Sequence, residues 1–351
     1  MIPLLLIACG SSDKKNTGTT VRRGPSLPTS TPRPTPLATV AATAVPLGDA
    51  QRPVVLLVAV PEGNPSSDVE QGGRALQNYL QAELAEELGR EFALEVRYVS
   101  ESDALNALCN GLNGSPAAAW TNAFTMHAAN QQCGAVPVLA LQRNEMVGQT
   151  LEIVSRTSIN ALTGLTGRRW CRLSADDFTS WIMPSLILSS KGVDPFAGFS
   201  SIIEEYPDSD ADNLAMLKAI YNNDCDAAAF PPGSFEDLVD RLARDEDDSV
   251  SQVRRSLKLL VEAAVGDSLT EDYIIPYETL VFPSDAMIPL ALRLTITEQV
   301  KEFFEDDDTG ADRLLSLFQR DDLPDATGIM DVVLEDYAAF QVLVGKQTIV
   351  D

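Results

Sequence analysis

Histidine is almost missing from this chain: His127 is the single one in 351 residues. That excludes histidine-rich zinc sites and leaves one imidazole for any Ser-His or Cys-His pair. Basic residues are also scarce, 26 against 51 acidic, for a formal net charge of −25. A charge this negative repels phosphate backbones and anionic headgroups, so nucleic acid and a polybasic membrane footprint are excluded as partners. The apolar run at the N-terminus is far shorter than the roughly 20 residues that span a bilayer. No cysteine pair has the CxxC spacing of zinc or thioredoxin-like chemistry. Nucleophile elbow, phosphate loop and metal cluster are all missing from the sequence, so no enzyme activity, cofactor or metal is expected. What remains is 45% hydrophobic and 22% charged, the composition of an ordinary globular protein. The length suits about two domains, each large enough for its own core.

Residues 1–9 read MIPLLLIAC and are followed by Gly10-Ser11-Ser12-Asp13. The Leu6-Ile7-Ala8-Cys9 end resembles the lipobox of a bacterial lipoprotein signal, which would make Cys9 the lipidated first residue of the mature chain. The run lacks the basic region that opens a complete signal, so the true start is expected upstream. The alternative is an incidental apolar start. Residues 10–51 are rich in Pro, Thr, Ser and Ala, and the stretch PSLPTSTPRPTP (25–36) cannot bury a core. Its prolines favour an extended path, which suits a disordered tether between an anchor and a folded body.

Beyond the tether, elements alternate. The Val-rich run 53–60 reads as a strand buried on both faces. Val69, Leu76, Leu80, Leu84 and Leu88 recur at helical spacing, with Ser67 or Asp68 available as N-cap and Gly89 as the stop. A strand over 92–99, a helix over 101–112, an alanine strand at 117–120 and a strand at 136–141 follow. The pattern then restarts with a strand at 151–155, a segment at 168–173, a helix from 178 to 190 and a strand from 202. A helix over 213–221 and a second alanine strand at 225–230 complete this set. The charged segment 237–258 reads as a solvated helix pair, 273–282 as an extended return, and 293–340 as helices. Strands alternating with helices imply parallel sheets, and the restart implies two α/β lobes. Cys109, Cys133, Cys171 and Cys225 allow three connectivities. Pairing 109 with 133 and 171 with 225 keeps each disulfide within one lobe; four buried free thiols are the alternative.

The order of motifs resembles the type 2 periplasmic solute-binding proteins, in particular the phosphate/phosphite/phosphonate-binding group of ABC transporter receptors. The resemblance covers about 52–300. It rests on the opening strand with Pro61-Glu62, the turn INALTGLTGRR (159–169), and the helix Phe178-Thr-Ser-Trp-Ile-Met-Pro184 leading to Gly192-Val-Asp-Pro195. Ala219 to Asp226 and Ile275-Pro276 complete it. It implies a two-lobed fold with a ligand cleft and a two-segment hinge. Lobe one would be 52–143 plus 275–351, and lobe two 144–274.

The resemblance also points to the residues that would line the cleft. Asp177 stands where the family has a serine, Phe178 where it has a threonine, and Ser180 where it has a glycine. Thr179 and Ser180 can still donate hydrogen bonds. A carboxylate at 177 either caps the helix or occupies the anion site itself. Glu101 and Met126 align with family tyrosines, Asn213 with a histidine, and Asp226 with a strand aspartate whose other role is to cap a turn. Trp120, Thr121 and Asn122 sit where the first alanine strand meets its loop, the usual ligand position in open α/β sheets, although Trp120 equally suits the core. Glu62 and Asn64 belong to the loop after the first strand. Glu62, Glu101, Asp177 and Asp226 together favour a ligand bearing an amine over free phosphate. His127 reads as a helix residue outside the cleft, and the acidic runs 245–248 and 305–308 as surface.

The expected function is that of a monomeric, lipid-anchored, extracytoplasmic receptor delivering a small polar ligand to an ABC permease. The alternative keeps the fold but makes the chain a sensor or structural surface lipoprotein.

Overall fold

Alternate residues of the first strand enter two different cores, and this two-faced burial sets the layering of the protein. The computed structural model describes residues 45–60, 63–206, 212–305, 308–320 and 323–345. Cys9, the tether up to residue 44 and Glu62 therefore lie outside the described residues.

The elements of the described residues open with β1 (Val54–Ala59), α1 (Ser67–Leu88), β2 (Leu94–Val99), α2 (Glu101–Asn110), β3 (Ala117–Thr121), α3 (Ala123–Cys133) and β4 (Val136–Arg143). The short β5 (Gly148–Gln149) leads to β6 (Glu152–Arg156), β7 (Arg169–Cys171), a π-helical turn (Phe178–Ile182), α4 (Met183–Ser190) and β8 (Ser201–Ile203). Next come α5 (Asn213–Tyr221), β9 (Ala227–Phe230), α6 (Phe235–Asp245), α7 (Val250–Ser256) and β10 (Leu257–Val261). The return passes through β11 (Ile275–Pro276) to β12 (Thr279–Phe282), α8 (Leu290–Glu305), α9 (Asp308–Ser316), β13 (Ala326–Asp331) and α10 (Ala338–Gly345).

These strands form a six-stranded sheet, β13-β4-β12-β3-β1-β2, and a five-stranded sheet, β10-β6-β9-β7-β8. The pair β11-β5 joins them. Each sheet has a parallel core (β2-β1-β3 and β8-β7-β9) with antiparallel strands beside it, so both sheets are mixed rather than purely parallel. In each case the antiparallel partner, β12 or β6, lies next to a crossing between the sheets, where the chain enters against the parallel direction.

In β1, Val54, Leu56 and Val58 face the core shared with Leu76, Leu80 and Leu84 of α1 and Ile296 and Val300 of α8. Val55 and Leu57 face Ala104 and Leu108 of α2 and Met126 of α3. Residues alternate across a strand, so a run apolar at every position needs helices on both faces. In the second sheet Ala228 and Phe230 of β9 pack with α5 and α6, while Ala227 and Ala229 face the opposite core.

Several expectations are corrected here. The N-cap of α1 is Ser66, whose hydroxyl accepts from the Val69 N–H, one residue before the candidates read from the sequence. The segment 237–258 does hold two helices, but α6 buries Phe235, Leu238, Val239 and Leu242, so it is amphipathic rather than wholly solvated. Residues 257–261 and 326–331 are strands. Both sit at sheet edges with half-buried side chains, where alternation of apolar and polar residues is weak. The helix expected from 178 opens as a π-helical turn before α4. The disulfides join Cys109 to Cys133, across α2 and α3, and Cys171 to Cys225, between β7 and the approach to β9. The C-terminal α10 packs on α4, and its Phe340 ring meets Phe124 of α3 edge-on at 5.3 Å, so this helix touches elements that follow both sheets.

Candidate functional site

A cavity of about 600 Å³ opens where the β5-β11 ribbon passes between the two sheets. That volume suits a small organic ligand. Asn122 and Phe124, at the junction of β3 and α3, line it from the first sheet. Asp177, the cap of the π-helical turn, and Phe178 and Thr179 within the turn line it from the second, while Gln149, Thr150, Tyr277 and Glu278 line it from the ribbon and its flanks.

A helix N-terminus with unmet N–H groups attracts anions. At this cleft both such termini are already occupied by the protein. Asn122 caps α3, its Oδ1 accepting from the Thr125 N–H at 2.9 Å. The Glu101 carboxylate lies behind it, accepting from the Asn122 N–H at 3.1 Å and from the Thr121 hydroxyl. Across the cavity the Asp177 carboxylate accepts from the Ser180 N–H at 2.6 Å. The Asp177 carbonyl takes both the Trp181 and Ile182 N–H groups, which sets the π-helical turn. The Ser180 hydroxyl is buried and accepts from the Leu173 N–H at 3.0 Å.

The charge at the cavity is mainly acidic. Among the described lining residues Asp176, Asp177 and Glu278 are negative and Arg320 is positive. Arg143, fully buried behind the wall, grips Glu278 through Nε at 3.3 Å and Nη2 at 3.0 Å. It also donates to the carbonyls of Phe318 and Pro324, so the guanidinium ties β4 to the second crossing and to the loop before β13. Its planar fork suits this many-partner role where an ammonium would not. The Arg143 guanidinium lies 5.6 Å from the Tyr277 ring centre. Burial pushes the Tyr277 hydroxyl above the usual tyrosine pKa, with the Arg143 charge acting against that rise.

A family model described as the periplasmic substrate-binding protein of phosphonate ABC transporters matches residues 60–265. The match covers more than half of the chain. This chain belongs to that family. The matched residues take in β2, β3 and β4 of the first sheet and the whole of the second. No curated protein matches the chain. Among solved structures, a Xanthomonas citri protein bound to chloride is 15% identical, with 84% of this chain and 96% of that one covered and a TM-score of 0.47. A Prochlorococcus marinus protein in complex with methylphosphonate is 13% identical, over 84% and 97%, with a TM-score of 0.39. The periplasmic aliphatic sulphonate binding protein of Escherichia coli is 13% identical, over 83% and 89%, with a TM-score of 0.35. Among the described residues, no helix is long and apolar enough to cross a membrane.

The residues singled out from the sequence fall into three groups. Asn122, Asp177, Phe178 and Thr179 come together at the cavity. Glu101, Thr121 and Ser180 stand behind its walls as internal hydrogen-bond partners. The other described ones lie outside the lining. Trp120 is 1% exposed in the core, its ring 4.8 Å from that of Phe318. Asn64 is exposed ahead of α1, and Asn213 sits in the first turn of α5, which Asp212 caps through the Ala215 N–H. Asp226 immediately precedes β9, at the end of that strand away from the cavity. There it accepts from Arg169 Nε at 3.1 Å and the Arg169 N–H at 2.9 Å, with Arg156 at 3.4 Å. Burial works to raise the Asp226 pKa, yet these bonds and the two guanidinium charges outweigh it and hold the carboxyl below its ordinary value.

Gln149, Thr150, Glu278 and Arg320 were missed. For Glu278 a signal existed, because a carboxylate inside the extended apolar run IIPYETLVF has to face something polar. Gln149 and Thr150 sit in a polar stretch that offers no such contrast.

Proposed function

We propose that this chain is the extracytoplasmic receptor of an ABC importer, tethered through a lipid on Cys9, and that its cleft takes a small polar ligand bearing an amine. The lobes are 52–143 with 275–351 and 144–274, and they shut on the ligand by rotating about the ribbon. The protein works as a monomer that hands its cargo to a permease. One observation carries the ligand class. The carboxylate of Asp177 caps the helix N-terminus at which an anion would otherwise bind. A phosphonate entering there meets a fixed negative charge and an N–H already in use, whereas an ammonium gains from Asp177, Asp176 and Glu278. Thr179 offers its hydroxyl on the lining to an anionic tail, so a zwitterion fits the cleft best.

Calorimetry on the full chain with aminoethylphosphonate, ethanolamine, methylphosphonate and inorganic phosphate tests this. The amine-bearing compounds are expected to bind and phosphate to fail. Asp177→Ser is expected to invert that order by opening the helix terminus. Tight phosphate binding by the unaltered protein overturns the reading.

A further inference from the structure

The cleft contains hydrogen-bonding capacity that the folded chain leaves unused, and it lies in the hinge. Gln149 Oε1 and Thr150 Oγ1 are both buried and have no partner, and both residues line the cavity. Thr150 is only 6% exposed, so bulk water does not compensate its hydroxyl. Buried polar groups are nearly always paired, and an exception at a cleft wall calls for a partner that arrives from outside. Three other polar side chains on the wall are in use: Asn122 and Asp177 cap their helices, and Glu278 is held by Arg143.

The backbone beneath these two side chains is fixed. Gln149 pairs with Ile275 and Gly148 with Pro276 across the ribbon. A Cβ added at Gly148 would lie 2.6 Å from the Ile275 carbonyl oxygen, so glycine alone allows the two crossings to approach this closely. Side chains on so constrained a ribbon are preorganised for a ligand and lose little freedom when it binds.

We propose that Gln149 and Thr150 are specificity-determining contacts that receive the N–H donors of the ligand's amine. An ammonium has three N–H groups and no acceptor. Two of them match the amide oxygen of Gln149 and the hydroxyl of Thr150, and the acidic lining supplies the opposite charge. The hinge thus reads the ligand at the segment about which the lobes turn. This inference rests on the amine reading of the cleft given above.

The test compares aminoethylphosphonate with propylphosphonate, which carries a methyl in place of the ammonium. The unaltered full-length protein is expected to prefer the amine. Thr150→Val and Gln149→Met should each weaken aminoethylphosphonate binding by about tenfold or more and leave propylphosphonate binding unchanged. Without ligand, Thr150→Val should melt no lower than the unaltered protein, because it removes an unmet hydroxyl; a purely structural threonine predicts a lower melting temperature. Ser185→Ala provides the control: Ser185 Oγ is likewise buried and unpartnered but lies outside the cavity lining, so affinity should not change. If Gln149→Met fails to fold, Thr150→Val decides alone. Equal aminoethylphosphonate affinity in the unaltered protein and both variants overturns this inference and spares the amine reading. Equal weakening of both compounds also overturns it. An unaltered protein that binds neither compound, or does not distinguish them, overturns both.

Discussion

Around β3 and β9 the two lobes present nearly the same local sequence, three alanines followed by an aromatic residue, yet the chain leaves the two strands differently. β3 runs through Thr121 into Asn122 and directly into α3, so the helix terminus at the cleft carries a neutral amide cap. β9 runs into Pro231-Pro232-Gly233, and α6 starts with no side-chain cap from Ser234; the Phe235 N–H is met instead by Glu152 Oε2 at 3.0 Å. The second lobe presents a different helix terminus to the cleft, the one capped by Asp177. Like strands can therefore support different electrostatics, because the charge at the cleft depends on the residue that caps the neighbouring helix and not on the strand.

The lobes also differ in how they are cross-linked, and the sharpest way to separate them is to remove each disulfide. Cys171–Cys225 closes a separation of 54 residues and Cys109–Cys133 one of 24. Loop-closure entropy assigns about 4 kcal/mol to the longer and about 3.5 kcal/mol to the shorter. Paired alanine substitutions followed by urea denaturation should show both losses, the second lobe's being larger; the reverse order would break the entropic account.

A smaller effect is expected at the start of β9, which has no counterpart at β3. Asp226→Asn should cost about 1–2 kcal/mol at neutral pH, less than a fully buried pair because Arg169 and Arg156 are partly exposed. The Asp226 pKa is lower in the folded chain than in the unfolded one. Its stabilisation is therefore complete above the unfolded value of about 3.9 and is lost as pH falls through the lower folded value. Stability curves of the variant and the parent should converge below about pH 4. A gap that persists in acid would assign the residue a role other than charge pairing.

The two cleft caps should give the smallest changes. Asn122→Ala and Asp177→Ala should each destabilise by about 1 kcal/mol, read by thermal melting. High salt should shrink the Asp177 loss and leave the Asn122 loss unaltered, since only the carboxylate contributes a charge at a helix terminus.

Much of the fold was legible from the sequence because the relevant signals are local. The all-apolar run of β1, the helical spacing of Val69 to Leu84 and the left-handed stop at Gly89 each depend on the neighbouring residues alone. The disulfide pairing followed from the division of the pattern into two sets. Edge strands β10 and β13 were missed because a half-buried strand needs no clean alternation. At the cleft, Asp177 and Asp226 looked alike in sequence, each an acid beside a predicted element. The structure puts one on the cavity wall and the other at the far end of a strand between two arginines.

By itself the amino-acid order determined which segments could be strands, which faces of helices had to be covered, and that the acidic chain would repel polyanions. Those properties arise from short-range periodicity and from summed charge, and neither depends on who meets whom. Only the tertiary arrangement decided that Arg143 neutralises Glu278, that Trp120 belongs to the core, and that Gln149 and Thr150 reach the cleft unmet. Whether a polar side chain is satisfied depends on atoms brought from distant parts of the chain, and no local pattern carries that information.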